Sequence, residues 1–306
     1  MVDNFMTASA KFADILLPGT LNVEEKDIAP QHHTGKMGYI IFGSQAIKPL
    51  FESKNIYDIC AGIAKYLGVE EGYHEGRNRD QWVEYVYNEC RKKSPQDYPA
   101  DINEAFEKGI VKRKITDEPW IPFEDFRKDP VKNPVPTPSG KLEIFSKALW
   151  DISNEWILPK GQVITALPEY TPPNEGLEDP LRKKYPLQMI TNHPKQRVHS
   201  CYGNVDWLKE IAPQQLWINT IDARERGIAH GDRIRVFNDR GVVEVMAKVT
   251  PRMMPGVLSL PEGAWFTPDA NGVDQEGAAH TLTKYEPSPL AKANPSHTNL
   301  VQVKKV

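Results

Sequence analysis

Apolar positions in the first third of the chain recur with a helical period. Ile56, Ile59, Cys60, Ile63 and Leu67 fall at i, i+3, i+4, i+7 and i+11, and Gly68 stops the run. That spacing predicts an amphipathic helix with the stripe buried. Asp80 is a candidate N-cap for a second helix burying Trp82, Val83, Val86, Tyr87 and Cys90. Cys60 and Cys90 then read as small core residues. Ahead of both, Asp14-Ile-Leu-Leu17 followed by Pro18-Gly19 reads as a short apolar strand with a hard stop. Such strands sit inside parallel sheets covered on both faces. Nothing upstream supplies the neighbour, so the expected domain begins on an inner strand of an incomplete α/β unit.

Residues 119–138 are rich in proline and aromatic side chains and predict a connector, followed by a turn at Ser139-Gly140 and a short strand through Phe145. Residues 167–186 predict a linker. Beyond it the period changes from 3.6 to two. Strands are expected at 187–190, 216–219, 233–237, 242–250, 256–260 and 300–303. Residues 222–226 give one helical turn ended by Gly227, and 238–241 give a hairpin turn. About six strands and one short helix in this span predict a closed barrel rather than an open sheet. The expected division is a partial α/β region at 1–170 and a barrel at 171–306.

Composition narrows the partners. The 306 residues carry a net charge of −3, so no basic field favours nucleic acid or an anionic membrane. Three scattered cysteines without a CxxC argue against an iron–sulfur or zinc-ribbon site within this chain. No apolar run reaches the length of a membrane helix, and the first residues lack the basic and apolar regions of a signal peptide.

The densest chemistry lies at residues 191–203, TNHPKQRVHSCYG. His193 and His199 fit neither a helical pair nor a zinc-finger spacing, no carboxylate lies near them in the sequence, and Lys195 and Arg197 repel a cation. Ser200 beside His199 lacks a nucleophile elbow. A cradle for an anion is the better reading, with Thr191, Asn192, Arg197, Ser200 and backbone N–H groups supplying donors that a phosphate or pyrophosphate can satisfy together. Asn192 and the histidines can hydrogen-bond a planar heterocycle. The plain alternative is a polar loop capping a barrel end. A second long loop, from Gly277 through Pro295 to Asn299, is rich in Ser, Thr, Asn and His, and loops of that length are usually functional. The adjacent His32 and His33 point apart in any strand or loop and are not expected to bind a metal.

At this point the stretches RVHSCYGNVDWLK, WIN, DARERGI, HGDRIRVFNDRG, AKVTPRMMPGV, EGAW and PSPLAKANPSHTNLVQV resemble the C-terminal part of the catalytic A subunit of anaerobic dimethyl sulfoxide reductase, a molybdopterin enzyme family. DNFMTASAKFADILLP and TPSGKLEIFS are similar too. The resemblance implies a mixed α+β architecture: a C-terminal double-psi β-barrel that binds molybdopterin guanine dinucleotide, preceded by an incomplete Rossmann-like α/β segment with a helical insertion. On matching positions it implies that His193, Arg197, His199 and Ser200 line the pterin and pyrophosphate of one cofactor half, with Thr283 and Asn299 on the later loops. His280 stands where relatives usually carry asparagine. The family's molybdenum is held by two such dinucleotides, and its [4Fe-4S] cluster and molybdenum ligand belong to sequence upstream of what is matched.

The same resemblance implies an iron–sulfur electron-transfer subunit, a membrane-anchor subunit and a periplasmic setting. Because family members are more than twice this length, the expectation is a C-terminal portion, cofactor-binding but not catalytic alone, with the missing N-terminal part as its partner. The rival readings are a free-standing, non-catalytic cofactor-binding or assembly module, and a metal-dependent hydrolase using the histidines.

Overall fold

Alternating burial organises two stretches of the chain, and each builds its own compact unit, Met1–Pro122 and Phe123–Val306. The structure is a computed structural model that describes residues 1–29, 38–113, 119 and 121–306, so His32 and His33 lie outside the described residues.

In the first unit, β1 (Val2–Asp3) and β2 (Leu17–Pro18) pair in parallel. The expected apolar strand at 14–17 is not there. Ile15 is 70% exposed and only Leu17 joins the ladder, because no neighbouring element covers both faces of this segment. β3 (Asp27–Ala29), β4 (Tyr39–Gly43) and β5 (Ile110–Lys112) form an antiparallel sheet. Ile40 and Phe42 of β4 point to one face and meet Tyr87, Tyr98 and Ala105. Phe42 lies edge-on to Tyr87, Tyr98 and Phe106, the arrangement that aromatic quadrupoles favour.

The helices here are α1 (Ile56–Tyr66), α2 (Glu70–His74), α3 (Arg79–Lys93) and α4 (Ile102–Lys108). α3 is capped by Asn78 in a reciprocal box with Gln81 rather than by Asp80. The cap therefore sits two residues earlier than the spacing of apolar residues indicated. The stripe on α1 forms a helix, as its period requires, but Ile56, Ile63 and Leu67 remain exposed and only Ala64 is buried. Periodicity selects the helix; burial needs a surface to pack on. For the same reason Cys60 and Cys90 are only partly buried, although Cys90 does rest against the aromatic cluster.

In the second unit, α5 (Glu124–Lys128) and α6 (Lys147–Glu155) precede the barrel. The strand expected through Phe145 does not form. Leu142, Ile144 and Phe145 are exposed and have no ladder partner, since every later strand is already committed to the barrel. The barrel strands are β6 (Leu187–Ile190), β7 (Gln215–Ile218), β8 (Arg233–Phe237), β9 (Val242–Val249), β10 (Val257–Ser259) and β11 (Asn299–Lys305). α7 (Asp206–Ile211) and α8 (Thr220–Glu225) lie on either side of β7. The barrel closes in the order β10-β6-β11-β8-β9-β7, with β6–β10 and β7–β9 parallel and the other pairings antiparallel.

Side chains alternate as a closed barrel demands. Leu187, Met189, Leu216, Ile218, Ile234, Val236, Val243, Val245, Ala247, Leu258 and Val301 fill the interior. Each of the larger side chains among them, Ala247 excepted, contributes about 1.5–3 kcal/mol by leaving water. The turn from β8 to β9 is closed by Asn238 N–H donating to the Gly241 carbonyl, and Asn238 Nδ2 also reaches the carbonyls of Leu282 and Leu300. Residues 167–186 are not a free linker. Glu175, 4% exposed, accepts from Arg240 Nη1 (2.5 Å) and Nη2 (2.9 Å) and from the Leu300 N–H (2.7 Å), which fastens this strap to the barrel.

Two outcomes follow from these contacts. Glu175→Ala leaves the Arg240 guanidinium and the Leu300 N–H without their acceptor and is expected to lower stability by about 3 kcal/mol in urea unfolding, with Glu175→Gln milder. In the first unit, burial first and then the neighbouring Cys90 push the Tyr98 hydroxyl from 10.0 up to about 12. The unfolded chain releases this proton near 10, whereas the folded chain keeps it. Stability from Tyr98 is therefore complete below pH 10 and is lost as pH rises towards 12, which denaturation at a series of alkaline pH values will measure.

Candidate cofactor-binding site

The barrel topology brings the predicted residues to one end. β6, β8 and β10 finish there, and β7, β9 and β11, running the other way, begin there. The β6–β10 pairing also continues beyond both strands. Leu260 N–H donates to the Ile190 carbonyl and Glu262 N–H to the Asn192 carbonyl, each at 3.1 Å, and the Ser259 hydroxyl bonds to Asn192 Oδ1. This extension lays residues 191–203 against residues 260–265.

It places a carboxylate beside the two histidines, which the local sequence did not indicate. His193 Nε2 is 2.8 Å and His199 Nδ1 2.9 Å from Glu262 Oε1, with the imidazole rings 4.4 Å apart edge to face. Arg197 turns inward and is half-buried. Its Nη2 donates to Gln214 Oε1 (2.8 Å) and the Glu262 carbonyl (2.9 Å), while Nε is buried without a partner among the described residues. No carboxylate pairs with Arg197 among the described residues. Burial disfavours its charge and pulls its pKa below the ordinary guanidinium value, while Glu262 and Glu276 act in the opposite direction.

Ser200 is exposed, and its carbonyl accepts from Trp265 Nε1 at 2.8 Å. His199 and Tyr202 hold positive φ angles of 52° and 68°, a costly conformation for such residues that persists only where the surroundings impose it. Gly263, at φ +86°, leaves room for the His199 backbone to approach closely. A Cβ at Gly263 would lie 1.9 Å from the His199 carbonyl oxygen, and one at Gly203 would lie 2.4 Å from Trp265 Nε1.

The other predicted residues sit on the loops leading to β11. His280 is exposed and its carbonyl accepts the Thr283 hydroxyl at 3.2 Å. Asn299 is fully buried, accepts from the Lys284 N–H, and donates both amide hydrogens to the Pro295 and Ser296 carbonyls. It knots the loop at its base rather than projecting a donor outward. Thr191 links the two groups, since its N–H meets His297 Nδ1 and its hydroxyl meets the Ser296 carbonyl, each at 3.3 Å. Around Arg197 a cavity of about 350 Å3 opens between Tyr202, Lys209, Gln214, Met246 and Trp265. Reasoning from the residues alone missed Glu262, Gln214 and Trp265. The stretch EGAW carried the only sequence signal for two of them, and Gln214 had none.

Arg197 Nε and the hydroxyls of Thr281 and Thr298 are buried on these loops without hydrogen-bond partners among the described residues; Glu286 Oε2, also without one, is ion-paired with Lys284. With the exposed imidazoles and Ser200, the donor set fits a polar, anionic ligand carrying a heterocycle. Residues 187–300 match the model of the molydopterin dinucleotide binding domain, and residues 1–66 match that of the molybdopterin oxidoreductases.

Over both matched segments the chain is similar to the molybdopterin oxidoreductases.

It is 52% identical over 306 residues to dimethyl sulfoxide reductase DmsA of Escherichia coli (strain K12), covering 100% of this chain and 37% of that protein. Dimethyl sulfoxide reductase DmsA of Haemophilus influenzae is 45% identical over 305 residues, covering 100% of this chain and 38% of that one. The dimethyl sulfoxide/trimethylamine N-oxide reductase of Cereibacter sphaeroides is 34% identical over 310 residues, covering 98% of this chain and 37% of that one. The chain thus spans well under half the length of these relatives. Acetylene hydratase from Pelobacter acetylenicus shares the fold, with a TM-score of 0.73 at 21% identity over 100% of this chain and 40% of that one. Within this family the partnerless donors at the barrel end have a ligand of matching chemistry, molybdopterin dinucleotide. No helix among the described residues is long and apolar enough to cross a membrane.

Gly263→Ala is expected to displace the 199–203 loop and to cost about 1–3 kcal/mol, because neither its φ nor the His199 carbonyl leaves room for a methyl group. Urea unfolding and the emission of Trp265, whose hydrogen bond to Ser200 depends on that loop, will register it.

Proposed function

We propose that this chain supplies the dinucleotide-binding barrel of a dimethyl sulfoxide reductase A subunit, with residues 171–306 as the cofactor-binding domain. The observation that carries the reading is Arg197, a half-buried guanidinium with an unpartnered Nε and no carboxylate bound to it among the described residues. A buried cation without an anion is costly, and a pyrophosphate is the anion whose oxygens suit a planar guanidinium.

Around it, His193, His199 and Ser200 are the exposed donors that would meet the pterin and pyrophosphate. His280 and Thr283 would contact the ligand from the second loop, with Asn299 keeping that loop in place. An imidazole at position 280 can donate or accept, so the substitution for asparagine keeps a polar contact. When bound, the molybdenum cofactor supplies two-electron removal of an oxygen atom from an S-oxide or N-oxide. The residues of this chain would orient that group, neutralise its phosphates and keep water from its inner face; none of them is assigned a catalytic role.

The same reading makes the chain part of a larger enzyme. A [4Fe-4S] cluster would belong to its upstream region, electrons would come from an iron–sulfur subunit, and a membrane-anchor subunit would hold the assembly at the periplasmic face.

Arg197→Ala in a complete enzyme carrying this sequence is expected to lower bound molybdenum and guanine nucleotide about tenfold or more, the loss expected for a charge-assisted contact. Arg197→Lys should recover part of it, since the charge remains but the planar fork is gone. Metal analysis and nucleotide released on denaturation measure this directly. Full cofactor content in Arg197→Ala would overturn the assignment.

A further inference from the structure

Two uncharged acceptors orient Arg197. Its Nη2 donates to Gln214 Oε1 at 2.8 Å and to the Glu262 carbonyl at 2.9 Å, so both hydrogens of that nitrogen are engaged. Nε is left buried without a partner among the described residues. An amide oxygen and a peptide oxygen fix the plane of the guanidinium and leave its positive charge for an anion. A carboxylate in either place would fix the group and neutralise it as well.

We infer that Gln214 is a positioning residue for the dinucleotide, holding Arg197 in place without consuming its charge. The role rests on the cofactor reading above and deepens it, since Gln214 acts on the ligand through Arg197.

Gln214 suits this task because its own amide cannot turn. Nε2 donates one hydrogen to the Pro261 carbonyl at 2.6 Å and the other to the Gly277 carbonyl at 2.9 Å. A reversed amide would set its oxygen against two carbonyl oxygens and its N–H groups against the guanidinium, so the acceptor is the end that faces Arg197. The side chain is also closely seated. A Cβ at Gly277, which holds φ +82°, would lie 2.6 Å from Gln214 Cγ. β7 begins at the next residue, so the barrel register sets where Gln214 stands. Gln214 and Arg197 line the same cavity. An arginine held before the ligand arrives loses less side-chain freedom on binding, an advantage of about two- to tenfold.

The test is the content of molybdenum and guanine nucleotide in a complete enzyme carrying this sequence, counted per folded polypeptide. Gln214→Met, close in size but without donor or acceptor, is expected to lower both about two- to tenfold. In an Arg197→Ala background the same substitution should change nothing further, because the two side chains act as one unit. A residue that only ties loops together would lower content by the same factor in both backgrounds. Gln214→Glu carries the test should the methionine variant fail to fold: its carboxylate keeps an acceptor on Arg197 but neutralises it, and content should fall towards that of Arg197→Ala. Where Arg197→Ala loses cofactor, full content in the Gln214 variants, or an equal loss from Gln214→Met with and without Arg197, would overturn the inference and leave the cofactor reading standing. Full content in Arg197→Ala would remove the cofactor reading and this role with it.

Discussion

The site depends on the hydrogen-bond ladder between Leu187–Ile190 and Val257–Ser259. This parallel pairing helps close the barrel, and it runs on past both strands through Ile190–Leu260 and Asn192–Glu262. A ladder of backbone bonds admits no slippage once its inner face carries Leu187, Met189 and Leu258, because a one-residue shift would turn all of them outward. The position of the 191–203 loop is thereby inherited from the core. Arg197, His193 and His199 take their places relative to Glu262 and Gln214 because two strands are in register.

Polar side chains then consolidate what the ladder begins. Gln214 reaches the carbonyls of Pro261 and Gly277 with its amide nitrogen and holds Arg197 with its amide oxygen, so one residue ties three loops together. Asn238, Glu175 and Asn299 do the same for the β8–β9 turn, the 167–186 strap and the loop before β11. These groups are satisfied by backbone atoms and, for Glu175 and Gln214, also by the guanidinium groups of Arg240 and Arg197, as low-dielectric surroundings require. Arg197 Nε and the hydroxyls of Thr281 and Thr298, on the loops around the barrel end, depart from that rule, as do Arg91 Nε and Arg113 Nε in the first unit. The strained backbone at His199 and Tyr202 belongs to the same economy, stabilised by the close seating of Gly263 and the Trp265 hydrogen bond.

The first unit follows a different balance. Its aromatic cluster around Phe42 is small, and large apolar side chains such as Phe12, Ile15, Phe51, Ile56 and Leu67 stand exposed around it. Local forces suffice to form α1 and α3, which are capped by Asn55 and Asn78. They do not suffice to cover the apolar stripe that α1 carries.

The barrel was legible in local sequence pattern. The two-residue alternation in 233–237 and 242–249, the turn at 238–241 and the helical turn ended by Gly227 all rest on local physics, namely pleat, φ at glycine and side-chain capping. The sequence also marked 191–203 as a donor-rich loop and, through extended resemblance, pointed to the molybdopterin oxidoreductases. Tertiary structure alone decided which residues join that loop. Glu262 stands beside His193 because of a parallel pairing between segments far apart in the chain, and no spacing within 191–203 could announce it. The strap at 167–186 looked like a linker because its proline and charge content is that of a linker; it is held by Glu175, whose partners Arg240 and Leu300 arrive only when the barrel closes. Likewise the stripe on α1 fixed a helix but not its burial, since periodicity is a property of one segment and burial is a property of two.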